Sequence, residues 1–224
     1  MPFRILLVSA TLLEIKELKK IPGLKKTSRG FSYGKTDIEV LVTGVGSIAA
    51  SWSVYDWLRS NPKPDLVLNL GIAGSYRDDI KPGNVVTPLS DCFADAGIED
   101  GNSFLTLGEA GLAGPEDFPY TSGVIESDKK YAHLVIDTLK VKAVTVNTST
   151  GSEATRERLI KKYNPDIETM EGATFFYIFA REFIPFLALR AISNMVETRN
   201  LKNWNIPLAI ESLAEKFYEV ILRV

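Results

Sequence analysis

The sequence predicts an α/β fold with three layers, α/β/α, in which helices cover both faces of a twisted, mostly parallel mixed sheet. Three observations carry this. Residues 3–8 form a nearly unbroken apolar run, the pattern of a strand buried on both faces. Strands of this kind alternate with segments of helical periodicity along the whole chain, which implies parallel crossovers with helices on both sides. The chain has 224 residues, enough for one sizeable core, so residues 1–224 are expected to form a single domain.

The elements follow in order. Strand 3–8 leads to a helix over 14–20. Strand 37–43 precedes a helix over 47–60, whose Ala49, Ala50, Val54, Trp57 and Leu58 share an apolar face; Pro62 and Pro64 then break the chain. Strand 66–70 ends on the glycine turn Gly71-Ile72-Ala73-Gly74, and another strand covers 84–88. Residues 91–122 carry five glycines and two prolines among acids and aromatics, and are expected to form a long functional loop. Helix 128–139, strand 143–146, helices 152–163 and 172–182, strand 186–192 and a terminal amphipathic helix over 207–223 complete the pattern.

Composition narrows the function. A net charge of −2 without a basic stripe argues against nucleic-acid binding. One cysteine, Cys92, excludes an internal disulfide and a cysteine-based zinc cluster. One histidine, His133, leaves little room for a multi-histidine metal site or a serine–histidine–aspartate triad. Both read as structural residues. No apolar run reaches the roughly 18 residues that span a bilayer, and Glu14, Lys16 and Glu17 follow the first apolar run too closely for a signal peptide. A cytoplasmic protein with no membrane partner is expected, and a reducing compartment suits a lone thiol.

In open α/β sheets ligands sit beyond the carboxyl ends of the strands. That rule selects Glu14, the Gly71–Gly74 segment, the run Asn147 to Gly151, Thr169-Met170-Glu171-Gly172 and Ser193-Asn194. A carboxylate such as Glu171 can hold a sugar diol. An amide such as Asn194 presents a donor and an acceptor together, which suits a purine bearing a carbonyl and a ring nitrogen. Glu14 reads either as an acid favoured by a helix N-terminus or as a base that activates water. Gly71–Gly74 is neither a dinucleotide fingerprint nor a phosphate-binding loop. Arg199 and Trp204 stand in a polar segment after Asn194. There Arg199 reads as surface or as the partner of an anionic substrate group.

Taken in order, Glu14, Gly71-Ile72-Ala73-Gly74, Thr169-Met170-Glu171-Gly172 and Arg190-Ala191-Ile192-Ser193-Asn194 resemble the purine nucleoside phosphorylase and nucleosidase superfamily over essentially the whole chain. The branch it resembles is that of the futalosine hydrolases, nucleosidases of an alternative menaquinone pathway. Ser193-Asn194-Met195-Val196 with Arg199 and Trp204, and the run Val144 to Gly151, carry that likeness. The methylthioadenosine and adenosylhomocysteine nucleosidases have an aspartate where this chain has Asn194. The phosphorylases have a Gly-Asp-Pro loop and arginines where this chain has Ser9-Ala10-Thr11 and Asn69-Leu70.

The resemblance implies a nucleoside phosphorylase-like fold and hydrolysis of a 6-oxopurine nucleoside to hypoxanthine. Glu14 would activate water, and Asn194, held by Ser193, would meet the base. Glu171 would hold the ribose hydroxyls, Met170 would pack on the sugar, and the backbone of Ala73 and Gly74 would line the pocket. Asn147 to Gly151 would edge the base. Phe93, Phe104 and Phe118 are expected as contacts for an apolar 5′ group and Arg199 as a partner for its carboxylate. No cofactor or metal is implied. The partners implied are a small nucleoside and a second copy of the chain, as a homodimer or higher homo-oligomer. The alternatives are a methylthioadenosine-type nucleosidase, a purine nucleoside phosphorylase and a non-catalytic nucleoside-binding protein.

Overall fold

The computed structural model describes residues 2–101 and 103–224; Met1 and Asn102, inside the ranges 1–224 and 91–122 considered above, lie outside the described residues. The chain runs β1 (Phe3–Ser9), β2 (Lys25–Lys26), β3 (Gly30–Tyr33), β4 (Thr36–Val42), α1 (Ser47–Ser60), β5 (Leu66–Ser75), β6 (Val85–Asp91) and the hairpin β7 (Gly97–Asp100) and β8 (Ser103–Thr106). Then come β9 (Tyr120–Thr121), β10 (Val124–Glu126), β11 (Leu139–Thr145), α2 (Glu153–Tyr163), β12 (Ile167–Thr169), α3 (Gly172–Arg181), β13 (Phe186–Met195) and α4 (Ile206–Ile221).

Period-two alternation in the central strands builds the layers. Ile5 and Leu7 of β1, Leu66 and Leu68 of β5 and Leu187 and Leu189 of β13 point to one face, where Leu213 and Phe217 of α4 cover them. Leu6, Val8, Val67, Phe186 and Ala188 point to the other, against Val54 of α1 and Phe175, Phe176 and Phe179 of α3. Each fully buried side chain of this size contributes about 1.5–3 kcal/mol, so strands apolar on both faces hold two helical layers at once. Local signals set the helix starts. The Ser152 hydroxyl accepts from Thr155 N at the head of α2, and the Asn205 side chain accepts from Leu208 N at the head of α4, with Pro207 in its first turn.

The central sheet is mixed and mostly parallel at its centre. β1 pairs in parallel with β4 and β5, β13 with β5, and β11 with β12 and β6. β12 joins β5 and β13 joins β6 antiparallel. Strands β5, β12, β11, β6 and β13 therefore close a ring, with β5 leaving β1 midway to meet β12. This closure has no counterpart in the periodicity of the sequence.

Several elements differ from expectation. The helix over 14–20 is a 3-10 turn, Lys16–Lys20, because the Glu14 side chain is drawn back toward β1 and Pro22 follows closely. The helix over 128–139 shrinks to a 3-10 turn, Ala132–Val135, and Leu139 already opens β11, whose alternating Leu-Lys-Val-Lys suits a strand. The 91–122 segment is not structureless: it holds the β7–β8 hairpin and β9. Gly71–Gly74 is not a turn. It is the second half of β5, paired with Arg190–Asn194 of β13. Strand β13 likewise runs on through Ser193 and Asn194 to Met195. Among the described residues no helix is long and apolar enough to cross a membrane.

Candidate active site

A cavity of about 220 Å³ opens where β1, the second half of β5, the end of β12 and the end of β13 converge. Glu14, Ala73, Gly74, Met170, Glu171, Ser193 and Asn194 all line it. So do Ser149 and Thr150 of the expected base-edge run, whereas Asn147 turns away to the Asp95 carboxylate.

Glu14 is buried, and its Oε1 keeps one lone pair free. Its Oε2 accepts from Thr11 N at 2.9 Å, Thr11 Oγ1 at 3.0 Å and Ser9 Oγ at 3.0 Å; its Oε1 accepts from Ile72 N at 3.1 Å. The carboxylate therefore cannot swing away from the cavity. Gly71 makes room for it: a Cβ there would stand 3.2 Å from Glu14 Oε1. The glycines of β5 serve close approach rather than a bend.

Glu171 sits at the head of α3 without capping that helix. Its Oε1 instead accepts from Gly46 N, at the head of α1, at 2.7 Å. Burial pushes its carboxyl above the ordinary range, opposed by the Gly46 amide and Arg190.

Asn194 owes its placement to a bulge. Between Ile192 and Asn194 the register of β13 slips against β5, so that Ile192 faces Ala73 and Asn194 faces Gly74, with Ser193 as the extra residue. The Ser193 hydroxyl donates to Asn194 Oδ1 at 2.7 Å, and Asn194 Nδ2 donates to Met195 O at 2.9 Å. One N–H and one oxygen lone pair of the amide remain for a ligand. A Cβ on Gly74 would come within 3.3 Å of Asn194 Nδ2 and 2.8 Å of a Val196 methyl.

Two expectations require correction. Arg199 does not line the cavity. It is exposed, its guanidinium lies 6.0 Å from the centre of the Trp204 ring, and Trp204 is the residue that reaches the cavity. The three phenylalanines lie elsewhere. Phe93 packs behind β11 on the α1–α3 side, Phe104 lies under Arg158, and Phe118 stacks on Phe183. The apolar lining comes from Leu13, Val45, Ile72, Met170, Trp204 and Ile206.

Sequence reasoning assigns no role to Arg190, Asp91 or Glu168. For Arg190 a signal exists, since a charged residue inside the apolar run Phe186 to Ile192 must be buried. The Arg190 guanidinium donates to Asn69 O and Leu189 O, each at 3.1 Å, and to the Asn69 side-chain oxygen. Burial pulls its pKa down, offset by Glu171, Glu14 and Asp91. One buried cation thus interacts with three carboxyl groups. A second chamber, about 20 Å³, lies between Glu14, Glu171, Thr174 and Arg190, with room for one water molecule. Asp91 is buried, and its carboxyl is pushed up to about 7 by that burial. Glu168 accepts from Thr150 N at 2.8 Å and from Tyr76 Oη at 2.7 Å, tying the Thr150 loop to β5.

The chain is similar to known proteins over most of its length. Over 223 residues the chain is 29% identical to a futalosine hydrolase of Thermus thermophilus, covering 93% of this chain and 91% of that one. It is 25% identical over 201 residues to a 5′-methylthioadenosine/S-adenosylhomocysteine nucleosidase of Buchnera aphidicola, covering 86% and 81%. The solved futalosine hydrolase of Helicobacter pylori superposes with a TM-score of 0.81 over 99% of this chain and 98% of that one, at 15% identity, a likeness of fold. The model of the phosphorylase superfamily matches residues 1–224, and the chain belongs to that superfamily.

Proposed function

We propose that this protein hydrolyses the N-glycosidic bond of a 6-oxopurine nucleoside, with futalosine as the substrate, releasing hypoxanthine for menaquinone biosynthesis. The observation that carries this is one cavity lined by the Glu14 and Glu171 carboxylates and the Asn194 amide. Cleavage develops positive charge on the sugar, as in glycoside hydrolysis. Glu171 accepts from the ribose hydroxyls and places negative charge beside that cation. Glu14, pinned by four donors, orients and deprotonates the attacking water. The adjoining chamber supports water as the nucleophile. Among the described residues no lysine or arginine side chain lines the larger cavity, so phosphate would meet carboxylates there without a cation.

At the base, the free N–H of Asn194 donates to a 6-oxo group and its oxygen accepts from a protonated N7. An amide is a poor acid, so the N7 proton comes from solvent or a relay. An adenine amino group would instead leave that N–H facing a donor, which costs about 1–3 kcal/mol when buried. Met170 and Trp204 pack on the ribose and the apolar 5′ group, and Arg199 lies over Trp204 outside the cavity. The reading includes a cytoplasmic enzyme that works as a homo-oligomer. Ile48, Trp52 and Tyr55 support this: they form an exposed stripe along α1, which with Val45 continues to the rim of the cavity.

The test is release of free base from futalosine, inosine and methylthioadenosine, each with and without phosphate. Hypoxanthine from futalosine, indifferent to phosphate, is the expected result. Adenine from methylthioadenosine would overturn the assignment of Asn194, and phosphate dependence would overturn that of Glu14. Sedimentation of the free protein reads the oligomer; a monomer at assay concentration would remove it from the reading.

A further inference from the structure

Three neighbouring strands end in residues that meet beneath the first turn of α3: Asp91 at the end of β6, Thr145 at the end of β11 and Thr169 at the end of β12. All three are buried. The first amides of a helix have no partner within it, and here Glu171, at the capping position, sends its carboxylate to Gly46 instead. The two threonines take its place. Gly172 N donates to Thr169 Oγ1 at 3.1 Å, and Ala173 N donates to Thr145 Oγ1 at 2.7 Å.

The hydroxyl protons then have one consistent arrangement. Thr145 donates to Asp91 Oδ1 at 3.0 Å, so the contact of 3.1 Å between the two threonines is Thr169 donating to Thr145. The oxygen of Thr145 is thereby saturated, accepting from Thr169 and Ala173 and donating to Asp91. Asp91 is the terminal acceptor that turns both oxygens toward the helix. Its other oxygen, Oδ2, is buried without a partner and packs on Gly172, where a Cβ would stand 2.1 Å from it.

We propose that Asp91 is a positioning residue for Glu171, acting through Thr145 and Thr169 to fix the first turn of α3 and with it the point at which Glu171 meets the ribose. This rests on the reading of Glu171 as the ribose ligand. Asp91→Asn keeps the size of the side chain but puts an NH2 group in one oxygen's place, either facing the Thr145 hydroxyl or facing the amide end of the helix. Thr145→Val removes the link itself, and Thr145→Ser restores it.

Two readouts test the proposal. The first needs no substrate: hydrogen exchange at Gly46, whose amide reports the Glu171 carboxylate from another helix. Asp91→Asn and Thr145→Val are expected to speed that exchange by about tenfold or more, the size of a lost charge-assisted hydrogen bond, with Leu68 of the core unchanged and Thr145→Ser near the parent. The second is the preference for futalosine over its 2′-deoxy analogue, which both variants should lower together with no further loss in the double variant. Gly46 exchange equal to the parent in Thr145→Val, with only the melting temperature lowered, would overturn the proposal even if Asp91→Asn failed to fold. Faster Gly46 exchange with an unchanged 2′ preference, the same in Glu171→Gln, would leave the positioning role standing and overturn the ribose role of Glu171.

Discussion

Glu14→Gln separates folding from chemistry at one atom. The glutamate receives four hydrogen bonds, three on Oε2 and one on Oε1. A glutamine side chain offers one acceptor oxygen and one NH2 group. The oxygen keeps the Oε2 position, where three donors converge, and the NH2 group takes the Oε1 position facing Ile72 N. One backbone N–H then loses its acceptor, at about 1–3 kcal/mol if fully buried. Ile72 is only half-buried, which puts the cost near the lower end. For a chain of this length that lowers Tm by about 2–4 °C per kcal/mol, so the protein folds. The pocket keeps its shape and KM changes little. Without a base to take the proton from water, kcat falls by about 10²–10⁴-fold. Base release at saturating substrate, with a thermal melt on the same sample, reads both quantities. A folded Glu14→Gln protein with kcat within about tenfold of the parent, less than a general base supplies, would refute the reasoning.

Other consequences follow from the same geometry. Asn194→Asp replaces the free N–H with an acceptor, so hydrolysis of adenine nucleosides should rise against 6-oxopurine nucleosides by about tenfold or more; an unmoved preference would place base selection elsewhere. Trp204→Ala should raise KM more than Arg199→Ala. Trp204 lines the cavity, while Arg199 acts through a cation–π contact of about 0.5–1 kcal/mol, and the reverse order would place Arg199 on the substrate. Folding raises the Asp91 carboxyl from 3.8 to about 7, so the folded state holds that proton more tightly. Its stabilising contribution is complete below the lower value and is lost as pH rises through the upper one. Stability against urea should therefore fall less over that window in Asp91→Asn than in the parent, and parallel profiles would refute the assignment. Gly74→Ala should lower kcat/KM by displacing Asn194 or Val196; full activity would show that the bulge of β13 can shift.

The α/β class and most long elements were legible because their causes are local. The apolar strands and the length of α1 need no partner to be recognised. Failures came where a neighbour overrides local preference. The segment after Glu14 reads as helix, yet the hydrogen bonds of its carboxylate to Ser9, Thr11 and Ile72 hold the chain in another path. Gly71–Gly74 reads as a turn, yet pairing with β13 on one edge and, at Gly74, with β12 on the other keeps it extended. The short β12 and the two-residue strands carry too few residues to show a period.

The sequence by itself determined which groups are available: two carboxylates and an amide after strand ends, no second histidine or cysteine, and a charged residue in an apolar run. Residue type and order are local facts, and the chemistry of each group travels with it. The tertiary structure alone decided which groups meet. It brought Glu14, Glu171 and Asn194 to one cavity, left Arg199 outside it, and sent Phe93, Phe104 and Phe118 to other surfaces. It also set Arg190 among three carboxyl groups and stacked Asp91, Thr145 and Thr169 under α3. The reason is that β5 exchanges β1 for β12 along its length and the sheet closes through β13. Those pairings join residues between 61 and 120 positions apart, at distances no pattern along the chain encodes.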